Sequence, residues 1–239
     1  MKLQIAELIV EFEPRYEMLK ERVKQYIYSG DKKPDITIEI SDKFLLDRQK
    51  ENPYLSLNEC ECIYTATYFY SEILKFDGIM LHASAVQLDG YAYLFSANSG
   101  TGKSTHTHLW LEKFPNAEIL NDDKPAIRLI NGKFYAFGTP WSGKFDESIN
   151  TKTEIAGIAF LSRGETNEIT RVPGDSVAFD FMNQSVRPDK KEDMIYFMDI
   201  LDKVLSNVPV YRLKCNMSLE AVETSYNKMN PRSNNNENQ

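Results

Sequence analysis

The chain has 239 residues, 42% of them hydrophobic and 26% charged, and it is long enough to close a core without disulfides or a structural metal. Twenty-eight Lys and Arg against 35 Asp and Glu leave a net charge of −7, which argues against general nucleic-acid or membrane-surface binding because no positive field gathers phosphates. No apolar run approaches the roughly 20 residues that span a bilayer, the N-terminus lacks the apolar core of a secretion signal, and three cysteines suit a reduced, cytoplasmic setting.

In chain order, residues 3–12 alternate as a strand, and Tyr16, Leu19, Val23 and Tyr26 sit at helical spacing over 15–27. Gly30 and Pro34 break the chain before an alternating strand at Ile36, Ile38 and Ile40. Ser56 and Glu59 form a capping-box signal that opens a long helix over 57–75. Residues 1–75 read as a strand-helix layer appended to the core, or as a small lobe of their own. Two apolar runs between 79 and 96 flank Asp89-Gly90, a hairpin signal. A Gly-rich turn, a helix from Lys103 to Lys113 and a short strand ending in Asn121-Asp122-Asp123 follow. Asn131-Gly132 marks a second hairpin. Residues 155–163 read as a central strand and 168–172 as another. Residues 175–185 and 191–206 read as helices, Val208–Leu213 as a strand, and 218–229 as a closing helix. Residues 230–239, rich in Asn, read as a disordered tail.

The chemistry concentrates at Ser99, Gly100, Thr101, Gly102, Lys103, Ser104 and Thr105. Gly102-Lys103-Ser104 matches the end of the P-loop pattern between a strand and a helix, with Ala97 in place of the first glycine. Two glycines let backbone N–H groups turn onto one anion, and the helix start adds its unpaired N–H groups. Lys103 would reach the β and γ phosphates of a nucleotide, and the Ser104 hydroxyl would ligate Mg²⁺. Asp122 and Asp123, 19 residues after Lys103, stand at a strand end, where α/β proteins place ligands. Two adjacent acids suggest divided labour, one as metal partner and one as acceptor of a proton from an alcohol; Asn-Asp-Asp is also good turn chemistry. His82, polar among apolar neighbours, is either satisfied in the core or aimed at a site. His106 and His108 point in different directions and read as packing or surface residues. Gly138–Lys144 is a loop facing the phosphates or a hairpin exit capped by a buried Trp141. Cys60 and Cys62 are spaced wrongly on a helix for a zinc site, and Tyr64, Tyr68 and Tyr70 read as a packed helix face.

LHASAV, SGTGKST, NDDKP and GTPWSGK together resemble the catalytic domain of the HPr kinase/phosphorylase family, over about residues 78 to 165. The resemblance implies an α/β fold with a mixed twisted sheet around a P-loop, shared with ATP-dependent phosphoenolpyruvate carboxykinase, over residues 76–229. It implies ATP and Mg²⁺ as cofactors and transfer of the γ-phosphate to a serine-like hydroxyl of a peptide, protein or small molecule. In that scheme His82 contacts the transferred phosphate or the acceptor, Asp122 is the base, and Asp123 is the metal partner with Ser104. An arginine clamp on the phosphoryl group is also implied, with Arg163 the first candidate and Arg171 the second. Self-association follows from the resemblance as well. HPr kinases carry further segments at both ends that are not recognised here, so HPr itself is not the expected acceptor. The competing expectation is a nucleotide-binding sensor or accessory protein without catalysis.

Overall fold

The computed structural model describes residues 1–234. The elements are β1 (Lys2–Ile5), β2 (Leu8–Glu11), α1 (Glu17–Arg22), β3 (Ile36–Thr37), α2 (Asp42–Glu51), α3 (Leu57–Glu72), β4 (Gly78–Met80), β5 (Ala83–Leu88), β6 (Tyr91–Ser96), α4 (Lys103–Lys113), β7 (Glu118–Asp123), β8 (Ala126–Ile130), β9 (Lys133–Phe137), β10 (Lys152–Arg163), β11 (Glu168–Val172), α5 (Ala178–Asn183), α6 (Lys191–Asn207), β12 (Val210–Cys215) and α7 (Leu219–Met229). The fold is mixed α/β, as expected.

Among the described residues, β1, β2 and β3 form a small sheet, and β4-β8-β9-β10-β6-β5-β7 form a large one extended by β12 and β11. The 12-residue β10 organises the large sheet. One edge carries β6 in parallel; the other pairs first with β9 over Lys152–Glu154 and then with β12 over Ile158–Arg163. A register shift between Ile155 and Gly157 bends it. The sheet is covered on both faces. In β6, Ala92 and Leu94 belong to a core shared with α6, whereas Tyr93 and Phe95 belong to a core shared with α4 and α7. A third core, under α3, holds Phe69, Tyr70 and Trp141 and joins the small sheet to β8 and β9.

Both Gly-marked hairpins form, with Asp89, Gly90, Asn131 and Gly132 all at positive φ. The capping box also forms: the Ser56 hydroxyl accepts from the Glu59 N–H at 3.2 Å while the Glu59 carboxylate accepts from the Ser56 N–H at 2.7 Å. Several local readings need correction. Residues 3–12 are two strands, because Ala6 and Glu7 take φ of 52° and 61° and fold the alternating stretch back on itself without a glycine signal. The helix over 15–27 shrinks to α1 and a 3-10 turn at Lys24–Tyr26. The run at 79–87 is two strands, β4 and β5, split at Leu81-His82. Helix α2 was not foreseen, since Leu45 is its one buried residue and leaves almost no periodicity. Of the three tyrosines on α3, Tyr70 is buried and Tyr68 is exposed. Within the expected tail, Asn230 is buried and Pro231–Asn234 form a helical turn; residues 235–239 lie outside the described residues.

Candidate functional site

β6 ends at Ser96 and α4 starts at Lys103, so the Gly-rich segment is the turn between a central strand and a helix N-terminus. Gly100 and Gly102 take φ of 75° and 120°, and a Cβ on either would meet nothing within 4 Å, which leaves the backbone open to an incoming anion. Ala97 is not among the positive-φ residues, so its departure from glycine costs no strain. Its carbonyl accepts from Lys103 Nζ at 2.9 Å, which folds the lysine over the turn. Burial pulls the Lys103 pKa below the usual lysine value, and the charges of Asp123 and Asp122 oppose that pull.

Strand register brings the acids to this turn. Ala83 pairs with Ser96 of β6 on one side and with Asp123 of β7 on the other, and Ser84 pairs with Asp122. Phe160 of β10 also pairs with Ser96, so Arg163 emerges at the same end of the sheet. His82, just before β5, is aimed at the site: its Nε2 lies 2.7 Å from Asp123 Oδ1. Its backbone is fixed on both sides, with its N–H donating to Gln184 O at 2.6 Å and its carbonyl accepting from Ser96 Oγ at 2.9 Å. Lys124 Nζ pairs with the second oxygen of Asp123. Burial alone would raise the Asp123 pKa, but the His82 hydrogen bond and the Lys124 charge outweigh it and hold the carboxyl at about 2. Asp123 also carries φ of 148°, a conformation that non-glycine residues rarely adopt.

Asp122 is buried and differs from its neighbour. Its carboxylate has no hydrogen-bond or ion-pair partner among the described residues, while its backbone is held twice. The Asp122 N–H donates to Glu147 O at 2.9 Å, and its carbonyl accepts from the Gly143 N–H at 2.5 Å. The loop after β9 therefore braces the acid pair. Both sequence readings of that loop apply to different residues. Trp141 is buried against Phe69 and donates to Thr65 Oγ1 at 3.0 Å, whereas Gly143 and Lys144 line the cleft.

Arg163 donates to the carbonyls of Gly100 at 2.5 Å and Thr101 at 3.0 Å, so it is fastened to the Gly-rich turn. Arg171 lies on β11 beside Tyr211 and is absent from the cleft lining. His106 packs inside, and His108 bridges Ser104 O at 2.6 Å and Glu147 Oε1 at 3.0 Å. Sequence reasoning missed Glu147 and Arg22, whose guanidinium donates to the carbonyls of Ser142 and Gly143; Gly143 lies in the loop it singled out, but the contact of Gly143 with Asp122 has no signal there. The cleft, about 640 Å³, is lined by Ser99 through Thr105 together with His82, Asp122, Asp123 and Arg163.

Among the described residues no helix is long and apolar enough to cross a membrane. No family model and no curated protein matches the chain. Among solved structures, the Hpr(Ser) kinase/phosphatase from Coxiella burnetii is similar to it over 66% of this chain and 98% of that one, at 10% identity and a TM-score of 0.40.

Proposed function

We propose that the protein is a phosphotransferase that moves the γ-phosphoryl group of ATP to the hydroxyl of a peptide, protein or small-molecule acceptor. One juxtaposition carries the reading: an open backbone nest and a buried lysine share a cleft with one unpartnered carboxylate and one pinned as an anion. Phosphoryl transfer asks for little more than positioning and charge. The phosphates lie on the N–H groups of residues 99–105, with Lys103 as their cation. Asp122, whose carboxylate is free, takes the proton as the acceptor oxygen bonds to phosphorus and the bond to ADP breaks. Asp123, held at about 2, is a poor base and a durable negative charge. His82 positions it, and Arg163 holds the shape of the nest.

The Ser104 hydroxyl and the Asp123 carboxylate are hard oxygen donors of the kind Mg²⁺ takes, and an ion bound there would displace the Lys124 ammonium from Asp123. When bound, the ion would neutralise charge on the β and γ phosphates.

Labelled ATP offered with pooled hydroxyl acceptors tests the reading. Lys103→Ala is expected to weaken ATP binding at least about tenfold, and Asp122→Asn to keep ATP affinity while lowering transfer by about 10² or more. ATP binding that survives Lys103→Ala, or transfer that survives Asp122→Asn, overturns it. ATP binding without transfer to any acceptor points to a sensor instead.

A further inference from the structure

A second concavity, of about 840 Å³, opens on the N-terminal side, between the chain that follows β3 and the outer stripe of α3. β3 has β2 on one side and no strand on the other among the described residues. Beyond Thr37 the chain stays alternating: Ile36 and Ile38 are buried, Thr37 and Glu39 exposed, Ile40 half-buried. Ile38 N–H still donates to Glu11 O at 2.9 Å, so the sheet geometry continues past the formal strand end. The opposite wall is Tyr64, Thr67, Tyr68 and Ser71, one stripe of α3 at three- and four-residue spacing. Thr67 and Ser71 spend their hydroxyls on carbonyls of their own helix, at 2.8 and 2.9 Å, which leaves that wall apolar in character. Phe44 packs edge-on to Tyr64 at 5.2 Å, and Phe44 and Tyr68 are left 39% and 40% exposed.

The rim decides what would lie there. Glu39, Asp189 and Asp193 form no ion pair among the described residues, and Lys190 is the one cation of the rim in the same state. Arg15 is spent on Asp42 Oδ1 at 2.6 Å and Ile40 O at 2.5 Å. The trough is thus aromatic with an acidic edge. A second copy of this chain, at net charge −7, and an anionic lipid surface are both disfavoured by that charge. We propose that the trough binds an extended peptide segment that alternates apolar and basic side chains, adding a strand beside β3 with its apolar side chains against Tyr64 and Tyr68 and its Lys or Arg on Glu39, Asp189 and Asp193. An open sheet edge beside side-chain pockets is what strand addition needs, and the aromatic rings also suit nearby cations.

The test is nucleotide-free, so its outcome does not depend on the phosphotransferase reading. A short fluorescein-labelled peptide alternating Leu and Lys is titrated with the full chain, beside the same peptide with Glu for Lys. The lysine peptide is expected to saturate and the glutamate peptide to bind at least about tenfold more weakly. Tyr68→Asp is expected to weaken the lysine peptide about tenfold while leaving the urea midpoint of the chain near its original value, and Glu39→Lys combined with Asp193→Lys to erase the preference. Equal binding of both peptides, no binding of either, or indifference to Tyr68→Asp overturns the proposal. So does a dimer in sedimentation that Tyr68→Asp dissociates, which would give the trough to a second copy, and so does capture by anionic vesicles in place of peptide.

Discussion

At Gly143 an added Cβ would stand 2.5 Å from the Asp122 carbonyl oxygen and 3.4 Å from Asp122 Oδ2. The first separation is too short for backbone to absorb without moving, and a shift of either Asp122 or the Gly143 loop breaks the contact that braces the acid. Gly143→Ala is therefore expected to lower transfer from ATP by about ten- to a hundredfold while ATP affinity stays near its original value, because the nest at Gly100 and Gly102 is untouched. Its stability cost should be about 1–3 kcal/mol, that of overpacking a close contact. Initial rates and an ATP titration on the same preparation separate the two effects, and a parallel loss of both would remove Gly143 from this role. Asp123 shows the converse economy at one residue. An unusual φ is tolerated where His82 and Lys124 hold the side chain from two sides.

Between elements, the N-terminal layer grips the loop that braces Asp122. Arg22, at the end of α1, donates to Ser142 O and Gly143 O at 3.1 Å each and pairs with Asp146 Oδ1 at 2.8 Å, with 10% of its side chain exposed. α1 is itself held to α3 by the buried carboxylate of Glu61, which accepts from the backbone N–H groups of Arg15 at 2.6 Å and Tyr16 at 3.0 Å. Removing the guanidinium leaves two carbonyls short of a donor, while the half-exposed Asp146 carboxylate keeps the Ser142 hydroxyl at 2.7 Å and water, so Arg22→Ala should cost about 1–3 kcal/mol in a urea titration. In a double-mutant cycle with Asp146→Ala the losses should fall short of additive, since the two residues share one interaction; strict additivity would mean that Arg22 does not act through Asp146. The same contacts explain what could be read from sequence. The Gly-rich turn, the two Gly hairpins and the acid pair are local patterns with local causes, and β5 sits between β6 and β7 to bring His82 to Asp123. Arg22 meets its loop across about 120 residues and leaves no mark in its own neighbourhood; the segment holding Gly143 is legible, but the close approach of Gly143 to Asp122 is a tertiary contact that the segment does not announce. α2 escaped because a helix with one buried residue has no periodicity to find.

Across the whole molecule, α4 is both the start of the site and a wall of the core, so its packing ties the cleft to global stability. The tie is made at His106, buried between Phe95 of β6, at a ring separation of 4.5 Å, and Ser225 of α7, whose Oγ lies 3.2 Å from Nε2. Trp110 Nε1–H donates to the same Nε2 at 3.3 Å, and an indole nitrogen can only donate, so the ring is neutral with its proton on Nδ1. Nδ1 is buried with no partner among the described residues, and protonating the ring would break the Trp110 bond and bury a charge. Burial accordingly pulls the His106 pKa down to about 4 from an ordinary 6.5. Between those values the unfolded chain takes up a proton that the folded chain refuses. The stability linked to this ring is therefore complete above pH 6.5 and is lost as pH falls from 6.5 towards 4, by about 3 kcal/mol in all. Urea midpoints measured between pH 7 and pH 4 should fall steeply for the natural chain. In His106→Gln, which keeps a polar side chain that does not titrate, that part of the slope should vanish even though the variant starts lower at pH 7 from imperfect packing. Equal slopes in the two chains would mean that His106 accepts its proton in the folded state and that the α4–α7 packing tolerates the charge.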